Sequence, residues 1–391
     1  MGKSDVTFRL GYRQELDGLR GIAVCAVMLG HSGLLGKGAD LRRPEIFPPL
    51  LTGGVFGVDI FFVLSGFLIT TLLLAEHART GKVDVAAFYT RRALRLLPPM
   101  GLLVGACVAY VSVFAPPEST FSFSEIGLAT LYVSNFAIIV SAQDLGMLTP
   151  TWSLSVEEQF YTLWPLLLVA FCVKGPSQTS RFVCWTIILA ILLRAALFIV
   201  GKLTQNQYLI LSANFFLFAR ADSLMCGAAV AMIATWRGKP GWNGMFWRLS
   251  IPAESKIALW TGCLQFSALA LLAMLLFAPS LGISAYVATY TCASIFTAIL
   301  ILCLLTLSRT VVHRILGLPV LVWIGKISYS LYLFHVPVFV LMAGHHSTLA
   351  RFGAWPTYSA ALALTFVLAT LSYYLVELRF LRVKDRLSHA A

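Results

Sequence analysis

Charged side chains are scarce in this sequence. Asp, Glu, Lys and Arg make up 12% of its 391 residues, about half of the roughly 25% found in ordinary soluble domains. That shortage excludes a chain that turns most of its surface to water. Paired cysteines are also missing. The eight cysteines, at 25, 107, 172, 184, 226, 263, 292 and 303, stand singly in apolar segments and form no CxxC, so they read as small buried hydrophobes. HExxH and the Walker and Rossmann glycine patterns are absent, which leaves no metal-ligand spacing and no machinery for ATP-driven pumping. The first apolar run carries Arg13, Glu15, Asp17 and Arg20 at its start and lacks a small-residue cleavage pattern, so no cleavable signal peptide is indicated. No repeat, low-complexity linker or appended soluble domain is visible.

Apolar residues fill the space instead. The chain is 59% hydrophobic with a mean hydropathy of +0.83. Long apolar runs recur at roughly 21–36, 55–75, 96–115, 127–141, 155–173, 183–201, 212–236, 257–278, 283–308, 320–342 and 356–376. A helix needs about 20 such residues to cross the hydrocarbon core, and the short alternating strands of a barrel are not seen. The sequence therefore predicts an all-α polytopic membrane protein, one transmembrane domain over 1–391.

Lys and Arg orient such helices, because they accumulate on the cytoplasmic side. The segment "EHARTGKVDVAAFYTRRALRLLPP" holds Arg79, Lys82, Arg91, Arg92 and Arg95 and is placed inside, which puts the amino terminus inside and residues 37–54 outside. "ELRFLRVKDRLSHAA", with Arg379, Arg382, Lys384 and Arg386, goes inside as well. So do Arg309 with Arg314 and the 237–256 loop with Arg237, Lys239, Arg248 and Lys256. Between about residues 116 and 174 the chain must then cross an odd number of times. The 127–141 run is 15 residues, about 22 Å of helix, and is the short one; it is read as re-entrant or interfacial. The expected total is ten crossings, in an inner or plasma membrane. The net charge of +12 sits mostly in these loops, where it can meet anionic lipid or a phosphate ligand; no soluble basic domain invites nucleic acid.

Several polar residues interrupt the apolar runs. "ELDGLRGIAVCAVMLGHSG" carries Arg20 at the cytoplasmic end and His31 eleven positions on, about 16 Å deeper. Arg20 alone would pass as a snorkelling anchor and His31 as an interhelical hydrogen-bonder, but ionisable groups in a bilayer usually face a cavity or one another. "GVFGVDIFFVLSGFLIT" adds Asp59 and Ser65, with Gly54, Gly57 and Gly66 permitting close helix approach. "TPTWSLSVEEQFYTLWP" adds Glu157 and Glu158, about 100° apart on a helix, with Ser153 or Ser155 as candidate caps. "LFARADSLMCGAAVA" brings Arg220 and Asp222, a structural ion pair or part of a site. "GKISYSLYLFHVPV" brings Lys326, Ser328, Tyr329, Ser330, Tyr332 and His335 at the start of a late helix. Two classes fit these residues: a transporter with a His/carboxylate proton relay, or an intramembrane enzyme with His as base.

Taken in order, "ELDGLRGIAV" with His31, "GVDIFFVLSGFLIT", "FYTRRALRLLPP", "WSLSVEEQFYTLWP", "RADSLMCGAAVA" and "GKISYSLYLFHVP" resemble the acyltransferase 3 family, integral-membrane O-acyltransferases of surface glycans, exported polysaccharides and some secondary metabolites. The resemblance runs from about residue 12 to 380 and favours the enzyme. It implies about ten transmembrane helices, in a chain that would be the transmembrane module without the carboxy-terminal SGNH domain of some members. Arg20 and His31 would be the family's Arg-x10-His pair. His31 would take the proton from an acceptor hydroxyl as it attacks an acyl thioester, a task suited to neutral imidazole; an acyl-His31 intermediate is the alternative. Either Glu157 or Asp59 would orient His31 or stabilise its protonated form.

The implied donor is acetyl-CoA or another acyl-CoA, a cytoplasmic polyanion. Arg91, Arg92 and Arg95, at i, i+1 and i+4, would bind its phosphates through guanidinium forks, with Arg20 sharing the task and Lys326 a weaker candidate. Positive-inside anchoring is the competing explanation of these arginines. His335, outside the Arg-x10-His pair, is expected to matter less than His31. The acceptor, a lipopolysaccharide, an exopolysaccharide or a small molecule such as a macrolide, has no motif of its own. The topology has a direct check: reporter fusions at residues 45, 85 and 391 should read outside, inside and inside, and a periplasmic signal at 391 would refute the parity argument.

Overall fold

The computed structural model describes residues 10–31, 53–114, 123–142, 145–172, 175–236, 257–277, 286–307, 309–344 and 354–390. Among these residues every regular element is helical. Helices follow from the composition, since only a helix or a closed barrel pairs its own backbone N–H and C=O groups inside hydrocarbon.

Helix α1 (Gln14–Gly30) starts with Glu15 and Asp17 in its first turn, where carboxylates suit the positive end of the helix dipole, and closes at His31. It leads to α2 (Phe56–Thr80) and α3 (Val85–Phe114). Two eight-residue helices follow, α4 (Phe123–Thr130) and α5 (Ser134–Ser141), separated by Tyr132 at a positive φ of 55°. Each is about 12 Å long. The 127–141 run is thus a broken pair too short to cross, as its length suggested.

Next come α6 (Thr151–Cys172), α7 (Pro176–Leu203), α8 (Gln207–Phe215), α9 (Leu217–Trp236), α10 (Ile257–Phe277) and α11 (Tyr286–Thr306). The short α12 (Val311–Leu316) precedes α13 (Pro319–Lys326) and α14 (Ser328–Gly344), which meet at Ile327 with a 72° bend. Finally α15 (Ala354–Leu371) runs through one π-helical segment, Ser372–Glu377, into α16 (Leu378–Ala390).

The bundle is arranged around α2 and α9. Their apolar stretches are 72% and 89% buried, against 17% for α10 and 28% for α7, so α2 and α9 form the interior, joined by the buried residues of α14, while α7 and α10 lie at the outside. The contact is close because both helices offer glycine: a Cβ on Gly66 would sit 1.8 Å from Leu224 O, and one on Gly227 1.9 Å from Val63 O. The small residues around α2 are used as expected, Gly54 and Gly57 meeting α1 in the same way.

Two expectations change. Seven described helices are long and apolar enough to cross a membrane, eight with the bent α13–α14 pair taken as one span; ten is not reached on this measure. Outside the count are α1, at 17 residues the lower end of spanning length, and α6, whose Glu157, Glu158 and Gln159 lower its hydropathy. Nor do the α6 serines cap that helix. It begins at Thr151, and Ser153 and Ser155 donate back to Pro150 O and Thr151 O. The 237–256 loop and residues 37–52 used in the topology lie outside the described residues.

The α2–α9 contact makes a prediction. Gly66→Ala forces two buried backbones apart and should cost about 1–3 kcal/mol, seen as a lower melting temperature in detergent. Gly105→Ala on α3, where a Cβ meets nothing within 4 Å, should be neutral or stabilising. Equal melting temperatures for the two variants would show that the close approach is not needed.

Candidate active site

A cavity of about 1010 Å³ opens between α1, α2, α3, α6 and α14. Arg20, Arg91, Arg92 and Arg95 line it, together with Ser65 and Glu157, and its lining reaches Ser153, Tyr329 and Tyr332. Sequence spacing thus does bring the α3 arginines and Arg20 to one space. Arg95 lies within electrostatic reach of both Arg20 and Arg92, so cationic groups from two helices converge here.

Each charge is held differently. Arg91 pairs with Glu76 at 3.4 Å and Arg92 with Glu158 at 3.0 Å, all four side chains partly exposed. The Arg92 guanidinium also stacks 3.1 Å from the centre of the Tyr161 ring, which holds it flat. Glu157 accepts from Ser65 at 2.8 Å and from Tyr161 OH at 3.3 Å. Tyr329 donates to Leu96 O at 3.2 Å, tying α14 to α3. Lys326 is exposed at the α13–α14 bend, its Nζ 5.7 Å from the Tyr12 ring, and is absent from the cavity lining.

Tyr332 lines the cavity, whose lining does not include His31 or His335. Its hydroxyl donates to Pro150 O at 3.0 Å and lies 2.6 Å from Ser153 Oγ. Its ring lies against Phe61 on one side and against His335, 5.5 Å away between ring centres, on the other. Behind it the two histidines meet. His335 Nε2 is 3.3 Å from His31 Nδ1, and the rings are edge to face at 5.1 Å. Arg20 and His31, eleven residues apart, differ by close to three whole helical turns, so they share a face of α1, one at the arginine cluster and the other at the histidine pair.

These contacts correct two expectations. Neither Glu157 nor Asp59 orients His31: Glu157 is bonded to Ser65 and Tyr161, Asp59 to Arg220 and Ser223, while His31 Nδ1 lies 2.9 Å from Val27 O and close to His335. His335, set apart from the Arg-x10-His pair by sequence, is its neighbour in space.

A family model described as an acyltransferase domain matches residues 13–374. The chain belongs to the acyltransferase 3 family. It is 31% identical to the peptidoglycan O-acetyltransferase OatA of Listeria monocytogenes over 94% of this chain and 55% of that protein. It is 28% identical to the O-acetyltransferase OatA of Staphylococcus aureus, over 94% and 57%, and 30% identical to a putative O-acetyltransferase of that species, over 95% and 58%. The chain therefore spans little more than half the length of these curated relatives. No solved structure matches it.

In this acyltransferase 3 chain the remaining polar candidates form a separate buried network. Arg220 donates to Asp59 Oδ1 at 2.6 Å and stacks 3.9 Å from the Tyr290 ring centre; Ser223 donates to the same oxygen at 3.0 Å. Asp222 is held by Arg194, through two parallel bonds of 2.7 Å, and by Thr291 at 3.0 Å. Of the two alternatives for Arg220 and Asp222, both residues do stand in ion pairs, though not with each other: residues two apart on a helix point to different sides, and each has its partner on another helix. Arg194 was missed, although it is the one charge inside the 183–201 run. Glu377 was missed too; it accepts from Ser330 in the π segment and interacts electrostatically with Arg95 and Arg20.

Both ion pairs are fully buried, which makes their loss costly. Arg194→Leu should strand Asp222 and cost about 3–5 kcal/mol, whereas Arg194→Met with Asp222→Leu removes both charges and should recover much of it. Thermal unfolding in detergent checks this; a double variant no more stable than the single one would refute the pairing.

Proposed function

We propose that this chain transfers an acyl group, acetyl foremost, from acyl-CoA to a hydroxyl of a glycan, with peptidoglycan the first acceptor to test. The observation that carries the reading is the continuity from the arginine-lined cavity, through Tyr332, to the His31–His335 pair. The acceptor class comes from the names of the relatives. In this reading both termini are cytoplasmic and the protein lies in the plasma membrane.

The chemistry follows from the placement. Coenzyme A is a polyanion, and Arg20, Arg91, Arg92 and Arg95 offer forks to its phosphates. Glu76 and Glu158 hold Arg91 and Arg92 at the partly exposed rim, where phosphate can replace them. A cavity of this volume suits a ligand of that size. His31 Nε2 then takes the proton of the acceptor hydroxyl while its oxygen attacks the thioester carbonyl. The carbon–sulfur bond breaks, and the thiolate leaves with the proton returned by His31. An acyl-His31 intermediate is the variant of this scheme for donor and acceptor that arrive from opposite faces. A proton-relay transporter is less well supported, because Asp59 and Asp222 are each closed against an arginine.

The test is acyl transfer in liposomes from acetyl-CoA to soluble peptidoglycan fragments. His31→Ala should lower the rate by about 10²–10⁴-fold, the usual worth of a general base, with insertion and thermal stability unchanged. Arg91→Gln with Arg92→Gln should raise the donor KM about tenfold or more, from charge-assisted contacts of about 1.5–3 kcal/mol each. More than about a tenth of wild-type rate in His31→Ala would move the base elsewhere.

A further inference from the structure

A base that acts through one ring nitrogen needs something at the other, to fix the ring and to meet the positive charge that forms when it takes a proton. A carboxylate commonly fills that place. Among the described residues no carboxylate touches His31. What lies there is Val27 O at 2.9 Å and the ring of His335 at 3.3 Å.

The tautomers can be worked out from the acceptors. A carbonyl oxygen only accepts, so the 2.7 Å contact between His335 Nδ1 and Tyr332 O puts the hydrogen of neutral His335 on Nδ1 and leaves Nε2 as a lone pair. The same logic at Val27 O puts a hydrogen on His31 Nδ1. The two assignments agree: His31 Nδ1–H is shared between Val27 O and the His335 Nε2 lone pair. Among the described residues His31 Nε2 meets no hydrogen-bond partner, so it is the atom left to act as base. His335 itself is fully buried, ringed by Tyr332 and Phe339, and cannot swing to solvent without opening α14.

We infer that His335 is the positioning residue for His31: a neutral imidazole that accepts from His31 Nδ1–H, holds the ring with Nε2 free, and stabilises the imidazolium formed when Nε2 takes the acceptor's proton. His335 stays neutral throughout, its own hydrogen remaining on Nδ1 and donated to Tyr332 O. Because Tyr332 also lines the cavity, the residue whose carbonyl sets the tautomer of His335 borders the proposed donor site. This inference rests on the reading of His31 as base.

The experiment uses the full chain in liposomes with acetyl-CoA and peptidoglycan fragments. His335→Phe keeps a ring of similar size and deletes the acceptor. His335→Gln places an amide oxygen close to the position of Nε2. Expected for His335→Phe is a kcat lower by about 10–100-fold, the worth of one hydrogen bond to a charged group, with the donor KM within twofold of wild type; His335→Gln should regain at least a third of the wild-type kcat. A packing role alone would show as lost thermal stability, with no split between kcat and KM and no recovery by Gln. If His335→Phe fails to accumulate, His335→Met, flexible and a weak acceptor, takes its place in the comparison. Wild-type kcat in the Phe or Met variant, or equal losses in those and in Gln, overturns the inference. His31→Ala serves as the reference: if it is inactive while His335→Phe is not, only the role of His335 falls, and if it is active, the base assignment falls with it.

Discussion

The ion pair between Asp59 and Arg220 is the contact on which the rest of the bundle depends. Both side chains are in the interior, where an unpaired charge costs far more than it does at a surface, so α2 and α9 are held at one register. That register is possible only because Gly66 and Gly227 let the backbones approach. Once α2 is placed, everything the site uses follows from its length: Phe61 and Phe62 form the inner wall of the cavity, Ser65 reaches Glu157 on α6, and Thr70 accepts from Trp164 Nε1 at 2.8 Å. The second pair, Arg194 with Asp222, fixes α7 to the other side of α9 in the same way.

Apolar runs were enough to name the helices because in lipid every apolar stretch of sufficient length has one structure open to it. The 183–201 run is α7 and the 257–278 run is α10, within a few residues. Breaks were less legible. The 320–342 run is apolar on average, yet it bends by 72° at Ile327; hydropathy measures composition and carries no direction. Length betrayed the other break: a run of 15 residues could not cross, and it is split at Tyr132.

The site was legible in its residue types more than in its partnerships. Arg20, Arg91, Arg92 and Arg95 do meet around one cavity, as helical spacing and charge suggested. Which carboxylate meets which arginine was not legible, because four arginines and several carboxylates in separate runs satisfy charge balance in many ways, and only packing chooses among them. One partnership could have been ruled out in advance: Arg220 and Asp222 are two apart, and side chains two apart on a helix diverge. His31 and His335 are 304 positions apart; nothing in either segment encodes that they touch.

The two buried pairs and the histidine pair solve the same problem by different means. Where a charge is permanent, as on Arg194 and Arg220, the fold supplies a carboxylate and closes the pair, so no proton is left to move. In the mechanism proposed for His31 its charge appears and vanishes with each turnover, and a permanent anion close by would be stranded in the apolar interior whenever the base is neutral. A carbonyl and a neutral imidazole avoid that cost, because they are dipoles in both states. Neutral partners at His31 and charged partners at Arg194 and Arg220 are therefore consistent with one rule for a low-dielectric interior: the partner's charge matches the lifetime of the charge it faces.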